Sequence, residues 1–177
     1  MKCFTTIRKK VLTQFLILLF TLYGSAQNAG KIVGDSQKPN IIYILADDLG
    51  YGDLSCFGQK KFSTPNIDKL AEQGMIFTQH YAGSTVCAPS RSSLMTGQHT
   101  GHTPIRGNKA VPLPAESVTL AEVLKEKGYT TGAFGKWGMG YATTEGDPLN
   151  QGFDHFYGYI NQSLAHNYYP YFLWDDG

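Results

Sequence analysis

Charge is scarce in this chain of 177 residues: Asp, Glu, Lys and Arg together make up only 16%. Nothing in it resembles the basic stripe that tracks a phosphate backbone, so nucleic acid is a poor candidate partner. There are 3 cysteines, too few for the disulfide framework of a small secreted scaffold. No internal repeat is visible, and the longest apolar run, residues 11–23, is short of the ~20 residues that a helix needs to cross a bilayer. What is plentiful is hydrophobic residues at 42%, with 20 Gly and 11 Tyr. Such a chain can bury a real core, which excludes global disorder, and its composition suits tight loops around a packed sheet.

The first 26 residues form a separate object. Lys2, Arg8, Lys9 and Lys10 precede the apolar run, and Gly24, Ser25 and Ala26 offer small residues for cleavage before Gln27. This is the pattern of a secretory signal peptide, so export machinery is an expected partner and the location is periplasmic or secreted. Cys3 lies ahead of the apolar run and not at the cleavage point. Removing the leader's four cations and no anions leaves 11 Lys and Arg against 14 Asp and Glu, a net charge of −3. Cys56 and Cys87 remain, and export makes a disulfide between them conceivable.

Residues 27–39 read as a polar linker and residues 40–177 as one α/β unit that stops without a closing element, as a truncated domain does. Residues 40–46 are apolar, β-branched and aromatic, which predicts a buried strand of a parallel sheet. Thr64 and Pro65 open a helix that Gly74 closes, with Ile67, Leu70 and Ala71 on one face. Residues 75–82 read as a second strand. Pro89 is suited to a first helical position, placing Cys87 just before a helix that ends at Gly97. Thr119 and Glu122 form a capping box for a helix ending at Gly128, and residues 129–134 read as a third strand. Strands alternating with helices predict a mostly parallel sheet flanked by helices, with ligands beyond the carboxyl ends of the strands. Asp47, Asp48 and Lys136 fall at such ends.

Those positions carry chemistry. A Cys87 at a helix N-terminus faces free backbone N–H groups and the positive end of the helix dipole, which favour an anion. Arg91 adds a planar cation suited to an oxyanion, and Lys136 adds a point charge. Two adjacent carboxylates, Asp47 and Asp48, can hold a hard divalent cation through oxygen. Among five histidines, His102 and His166 have polar neighbours and are candidates for a general acid or a substrate contact. Each feature alone has a plainer reading, as a packed cysteine, a polar turn, a solvated lysine or a structural histidine. Asn161, Gln162 and Ser163 form a glycosylation sequon.

Taken in order, these segments resemble the type I, formylglycine-dependent sulfatases, arylsulfatase-like members of the alkaline-phosphatase-like superfamily. The matching stretches are residues 38–53 (Lys-Pro-Asn-Ile-Ile-Tyr-Ile-Leu-Ala-Asp-Asp-Leu-Gly-Tyr-Gly-Asp), 64–68 (Thr-Pro-Asn-Ile-Asp), 87–91 (Cys-Ala-Pro-Ser-Arg), 93–97 (Ser-Leu-Met-Thr-Gly) and 132–137 (Gly-Ala-Phe-Gly-Lys-Trp). The resemblance implies an alkaline-phosphatase-like fold. It implies that a formylglycine-generating maturation enzyme oxidises Cys87 to an aldehyde, which is then hydrated. Asp47 and Asp48 would bind Ca²⁺ together with an oxygen of that hydrate at Cys87, Arg91 would steady the modified residue, and Lys136 would contact it or the sulfate. On the mechanism that the resemblance implies, one hydroxyl of the hydrate would attack sulfur, the alcohol would leave, and the second hydroxyl would collapse to the aldehyde and expel sulfate. A serine lacks that second hydroxyl.

The family's other metal ligands, an Asp-Asn pair, and its later His and Lys are not found in the 177 residues. Many relatives carry His two residues after the Lys of the Gly-Lys-Trp motif, where this chain has Gly138. Other readings stay open: a formylglycine-dependent phosphonate monoester or phosphodiester hydrolase, a catalytically incomplete fragment, and a disulfide-bonded binding module using Cys56 and Cys87. The expected substrate is a sulfated small molecule or glycan, since aromatic residues between Tyr157 and Trp174 suit stacking on a sugar ring.

Overall fold

The computed structural model describes residues 38–176. The expected signal peptide and most of the linker lie outside them. The chain divides into two units, residues 1–45 and 46–177, and only residues 38–45 of the first are described.

Those residues depart from expectation. The apolar run from Asn40 carries no strand ladder among the described residues, and its side chains are exposed, Ile42 at 86%. The apolar, β-branched pattern signals a surface that needs covering. A strand also needs a neighbouring backbone to bond to, and none is described beside it. The second expected strand, residues 75–82, is likewise an exposed succession of turns and irregular backbone. The helix between them forms as expected: α1, Pro65–Gln73, starts with Pro in its first turn. Its Thr64 hydroxyl does not cap its own helix. It donates to Asp68 and accepts from the Ser55 backbone N–H, tying α1 to the preceding short 3-10 turn Ser55–Phe57. The apolar face of α1 is exposed, with Leu70 at 66%.

In the second unit, helix α2 spans Cys87–Thr96 and stops at Gly97, whose left-handed backbone suits a glycine. It begins two residues earlier than Pro89 suggested. A proline is tolerated throughout the first turn because the N–H it lacks would have no intrahelical acceptor there. Cys87 is therefore the first residue of the helix. Helix α3, Leu120–Glu126, has the expected capping box: Thr119 accepts from the Glu122 N–H, and the Glu122 carboxylate accepts from the Thr119 N–H at 2.7 Å.

Three strands form one sheet in the order β1–β2–β3. β1, Gly132–Lys136, starts three residues later than expected and ends on Lys136 itself. It pairs in parallel with β2, His155–Tyr159, from Gly132 opposite His155 to Lys136 opposite Tyr159. The two-residue β3, Trp174–Asp175, adds antiparallel to β2. Two glycines make β1 a poor strand on propensity alone; Gly135 has a left-handed backbone, φ 99°, that suits a glycine, and close backbone approach accounts for the glycine opposite it in β2. Gly135 faces Gly158 across the ladder, and a Cβ on Gly158 would stand 2.6 Å from the Gly135 nitrogen. A last short helix, α4, Gln162–Ala165, follows β2 with Asn161 as its N-cap.

The architecture is α/β, with the parallel pair as the longer ladder. Ala88, Ile105, Leu113, Trp137, Met139, Phe156 and Ile160 form one buried cluster. It joins the first turn of α2, the residues after β1 and the inward face of β2. Buried polar residues brace the loops around it. The Thr119 hydroxyl donates to the Gln151 carbonyl at 2.7 Å, and the Gln151 amide donates to the Glu145 carbonyl at 2.8 Å. Among the described residues no helix is long and apolar enough to cross a membrane.

Thr119 both caps α3 and bonds the loop at Gln151, and it is fully buried. Thr119→Ala removes the cap and leaves a buried carbonyl unpaired, a loss of about 2 kcal/mol. Urea unfolding of the full-length protein is expected to show a lower midpoint at unchanged slope.

Candidate functional site

Two chain segments distant in sequence converge on Asp47. Its Oδ1 lies 3.1 Å from an Arg91 guanidinium nitrogen, and its Oδ2 accepts from Lys136 Nζ at 2.8 Å. Arg91 stands one turn along α2 from Cys87, and Lys136 is the carboxyl-terminal residue of β1. The other end of the Arg91 fork donates to the Lys136 backbone carbonyl. The helix is thereby tied to the strand end with the cation side chains packed between them, Lys136 at 9% and Arg91 at 12% exposure.

Asp47 is more open, at 41%. Its partial burial pushes its pKa up. The hydrogen bonds and charges of Lys136 and Arg91 more than reverse this, so the pKa lies below the usual carboxylate value. A depressed pKa means that the cluster's stabilisation is fully present above the ordinary carboxylate pKa. It is lost as pH falls through the depressed one.

Cys87 is half-buried and held from the other side. Asn108 Oδ1 accepts from the Ala88 N–H at 3.2 Å and lies 3.7 Å from Cys87 Sγ, so it receives one of the free N–H groups of the first turn. Sequence reasoning missed Asn108. It sits in a turn within a Gly-Asn-Lys stretch, and only the tertiary fold brings it to the helix start. Arg91 Nε is buried without a hydrogen-bond partner, a donor left open to an acceptor beside the cluster.

Asp48 is the contrast to its neighbour. It is exposed, adopts a left-handed backbone with φ 58°, and has no hydrogen-bond or ion-pair partner among the described residues. Aspartate tolerates this conformation better than most residues. Two adjacent carboxylates, one unengaged, fit the oxygen donors that a hard cation such as Ca²⁺ takes, and they supply part of its usual six to eight.

The two histidine candidates are not bonded into the cluster. His102 is exposed in the turn after His99, and His166 is exposed at the end of α4. Neither hydrogen-bonds to Asp47, Cys87, Arg91 or Lys136 among the described residues. Cys56 and Cys87 are both free thiols, which overturns the disulfide-bonded alternative.

A second cluster, His155 with Asp175 and Asp176, was not anticipated. Asp176 accepts from His155 at 2.8 Å and from the Phe156 N–H, and this pairs the end of β3 to β2. The Asp176 hydrogen bond raises the His155 pKa.

A family model described as Sulfatase matches residues 39–176. The chain is similar to an N-acetylgalactosamine-6-O-sulfatase of Bacteroides thetaiotaomicron, 49% identical over 136 residues, which cover 73% of this chain and 26% of the relative. Human arylsulfatase D is 46% identical over 136 residues, covering 68% of this chain and 23% of the relative. A protein solved with its substrate D-glucosamine-2-N,6-O-disulfate superposes with a TM-score of 0.67 at 31% identity, covering 80% of this chain and 27% of that one. The chain thus spans about a quarter of the length of these curated relatives.

The two neighbouring carboxylates are expected to respond differently to neutralisation. Asp47→Asn strips Lys136 and Arg91 of their shared counter-charge and lowers stability by about 1–3 kcal/mol, the upper end being limited by the exposure of Asp47. Asp48→Asn removes no partner and changes stability by less than about 0.5 kcal/mol. Urea unfolding of both metal-free variants near neutral pH checks the difference, which should shrink in acid.

Proposed function

The chain belongs to the sulfatase family, and from that premise we propose that its protein hydrolyses sulfate esters, with Cys87 as the nucleophilic position once it has been oxidised to formylglycine. The observation that carries this reading is the convergence of Arg91 and Lys136 on one carboxylate beside the first turn of α2. Two cations share one carboxylate beside a helix whose first residue is Cys87, and the N-terminus of a helix favours an oxyanion.

Each residue has a physical task. Arg91 keeps Nε free to donate while its terminal nitrogens are held by Asp47 and the Lys136 carbonyl. A sulfate or nucleophile oxygen would meet a donor that is already oriented. Lys136 has further N–H groups besides the one bound to Asp47, and as a compact charge it would stabilise negative charge developing on the transferring group. Asn108 fixes the start of α2 and with it the Cβ carbon of Cys87.

When formed, the hydrated aldehyde would supply two hydroxyls on one carbon, one to attack sulfur and one through which the aldehyde reforms as sulfate leaves. Asp47 and Asp48 are the residues that would hold Ca²⁺, whose charge would favour an oxyanion there. His102 and His166 remain candidates for substrate contacts. A maturation enzyme acting on the cysteine motif and export by the leader of residues 1–26 complete the proposal, placing the enzyme in the periplasm or outside the cell. The named relative and the substrate complex both concern sulfated sugars, and sugar sulfates are the substrate class we favour.

The test is Lys136→Ala in the full-length protein, because Lys136 lies outside the cysteine motif and leaves maturation intact. With formylglycine content matched and folding verified, hydrolysis of a sulfate ester is expected to fall a hundredfold or more, about 3 kcal/mol of barrier. Wild-type turnover in that variant would leave Lys136 a structural partner of Asp47. Faster hydrolysis of a phosphonate monoester than of the sulfate ester by the unaltered protein would assign the site to the other hydrolase chemistry.

A further inference from the structure

Gly138 follows Trp137 beyond the end of β1, with its N–H donating to the Ile160 carbonyl at 3.3 Å. Its backbone is left-handed, φ 78°, and a Cβ placed on it would stand 2.9 Å from Gln162 Oε1 and 3.6 Å from Gln162 Cβ. The glutamine side chain therefore lies over Gly138, in space that any other residue there would claim. Its root is fixed: Asn161 caps α4, accepting from the Ser163 N–H at 2.7 Å, and Gln162 is the first residue of that turn.

The amide oxygen brought there is buried and has no hydrogen-bond partner. A buried acceptor without a donor is costly to leave unsatisfied, and the natural remedy is a donor from outside the chain. Gln162 borders a cavity of about 70 Å³ lined also by Asn108, Gly138, Tyr141 and Asn161. Asn108 is the side chain whose Oδ1 lies 3.7 Å from Cys87 Sγ, so one residue borders both the cavity and the nucleophilic position. The space is too small for a sugar ring and large enough for a hydroxyl-bearing carbon.

Resting on the sulfatase reading above, we propose that Gln162 is a specificity-determining residue, whose amide oxygen accepts a hydrogen bond from a hydroxyl of the substrate's alcohol portion. The site then favours sulfate esters of polyhydroxy alcohols such as sugars over esters with no neighbouring hydroxyl. A pocket built to bond a hydroxyl discriminates against the analogue that lacks it, because the analogue leaves the acceptor unpaired.

The test uses the full-length, matured protein with galactose 6-sulfate, its monodeoxy analogues and 4-nitrophenyl sulfate, alongside a Gln162→Met variant of nearly the same shape. For the unaltered protein, one deoxy analogue is expected to lose roughly tenfold to a hundredfold in kcat/KM. For Gln162→Met that particular loss disappears, and the preference for galactose 6-sulfate over 4-nitrophenyl sulfate falls by a similar factor. Equal losses on every substrate, or the same deoxy penalty in both proteins, would overturn the assignment, the second result pointing to a cavity that holds only water. Calorimetric binding of the same sugars separates this inference from the reading beneath it. Discrimination in binding that depends on Gln162, without sulfate release, keeps the hydroxyl contact and removes the sulfatase reading. Sulfate release without that dependence does the reverse, and a protein that neither binds nor hydrolyses the sugars refutes both.

Discussion

Asp47 stands between two cations that would otherwise repel each other in a poorly hydrated corner, and the arrangement of the site follows from that one shared carboxylate. Lys136 arrives on the end of β1 and Arg91 on the second turn of α2, and both are mostly withdrawn from water. Burying either charge alone is expensive, and a single anion bonded to both offsets much of that expense. The Arg91 bond to the Lys136 backbone then makes the helix and the strand end one mechanical unit. Because the carboxylate is itself partly open, the cluster keeps contact with solvent and has donors left over, Arg91 Nε among them.

The hydrophobic cluster supports this from below. Ala88 lies next to Cys87 and Trp137 next to Lys136, so the candidate site residues are chain neighbours of residues that carry packing. Trp137 is further pinned by its indole N–H, which donates to the Gly146 carbonyl at 2.7 Å. A functional side chain flanked by a locked core residue has little freedom to drift. Gly158 of β2 contributes by letting its backbone pass close to Gly135 of β1, the residue before Lys136.

Much of the site was legible in the sequence because its members sit in short segments with strong local signals. Cys87, Pro89 and Arg91 declare a helix start, and Lys136 follows a segment that reads as a strand. Asp47 was legible only as one of two adjacent carboxylates, and nothing local distinguishes the one that pairs with both cations from Asp48, which pairs with neither. Asn108 was invisible for the same reason, since its partner lies 20 residues away in a different element. The two misread strands, residues 40–46 and 75–82, show the limit of pattern reasoning. Alternation and branching report that a segment suits a sheet, whereas a ladder depends on a second backbone. Conversely β2 went unrecognised inside an aromatic-rich stretch, because its identity comes from parallel pairing with β1 and not from its own composition. The helix start was misplaced by two residues because proline fits several positions of a first turn.

Arg91 joins the charged cluster from one turn along the helix that Cys87 begins, yet a thiol is not the group that the proposed chemistry needs. Mass spectrometry of the peptide containing Cys87, taken from full-length protein produced with a formylglycine-generating enzyme and shown to release sulfate, tests the account at its centre. An aldehyde in place of the thiol, present in proportion to specific activity across preparations, is the predicted result. Fully active protein carrying an unmodified Cys87 thiol would contradict it.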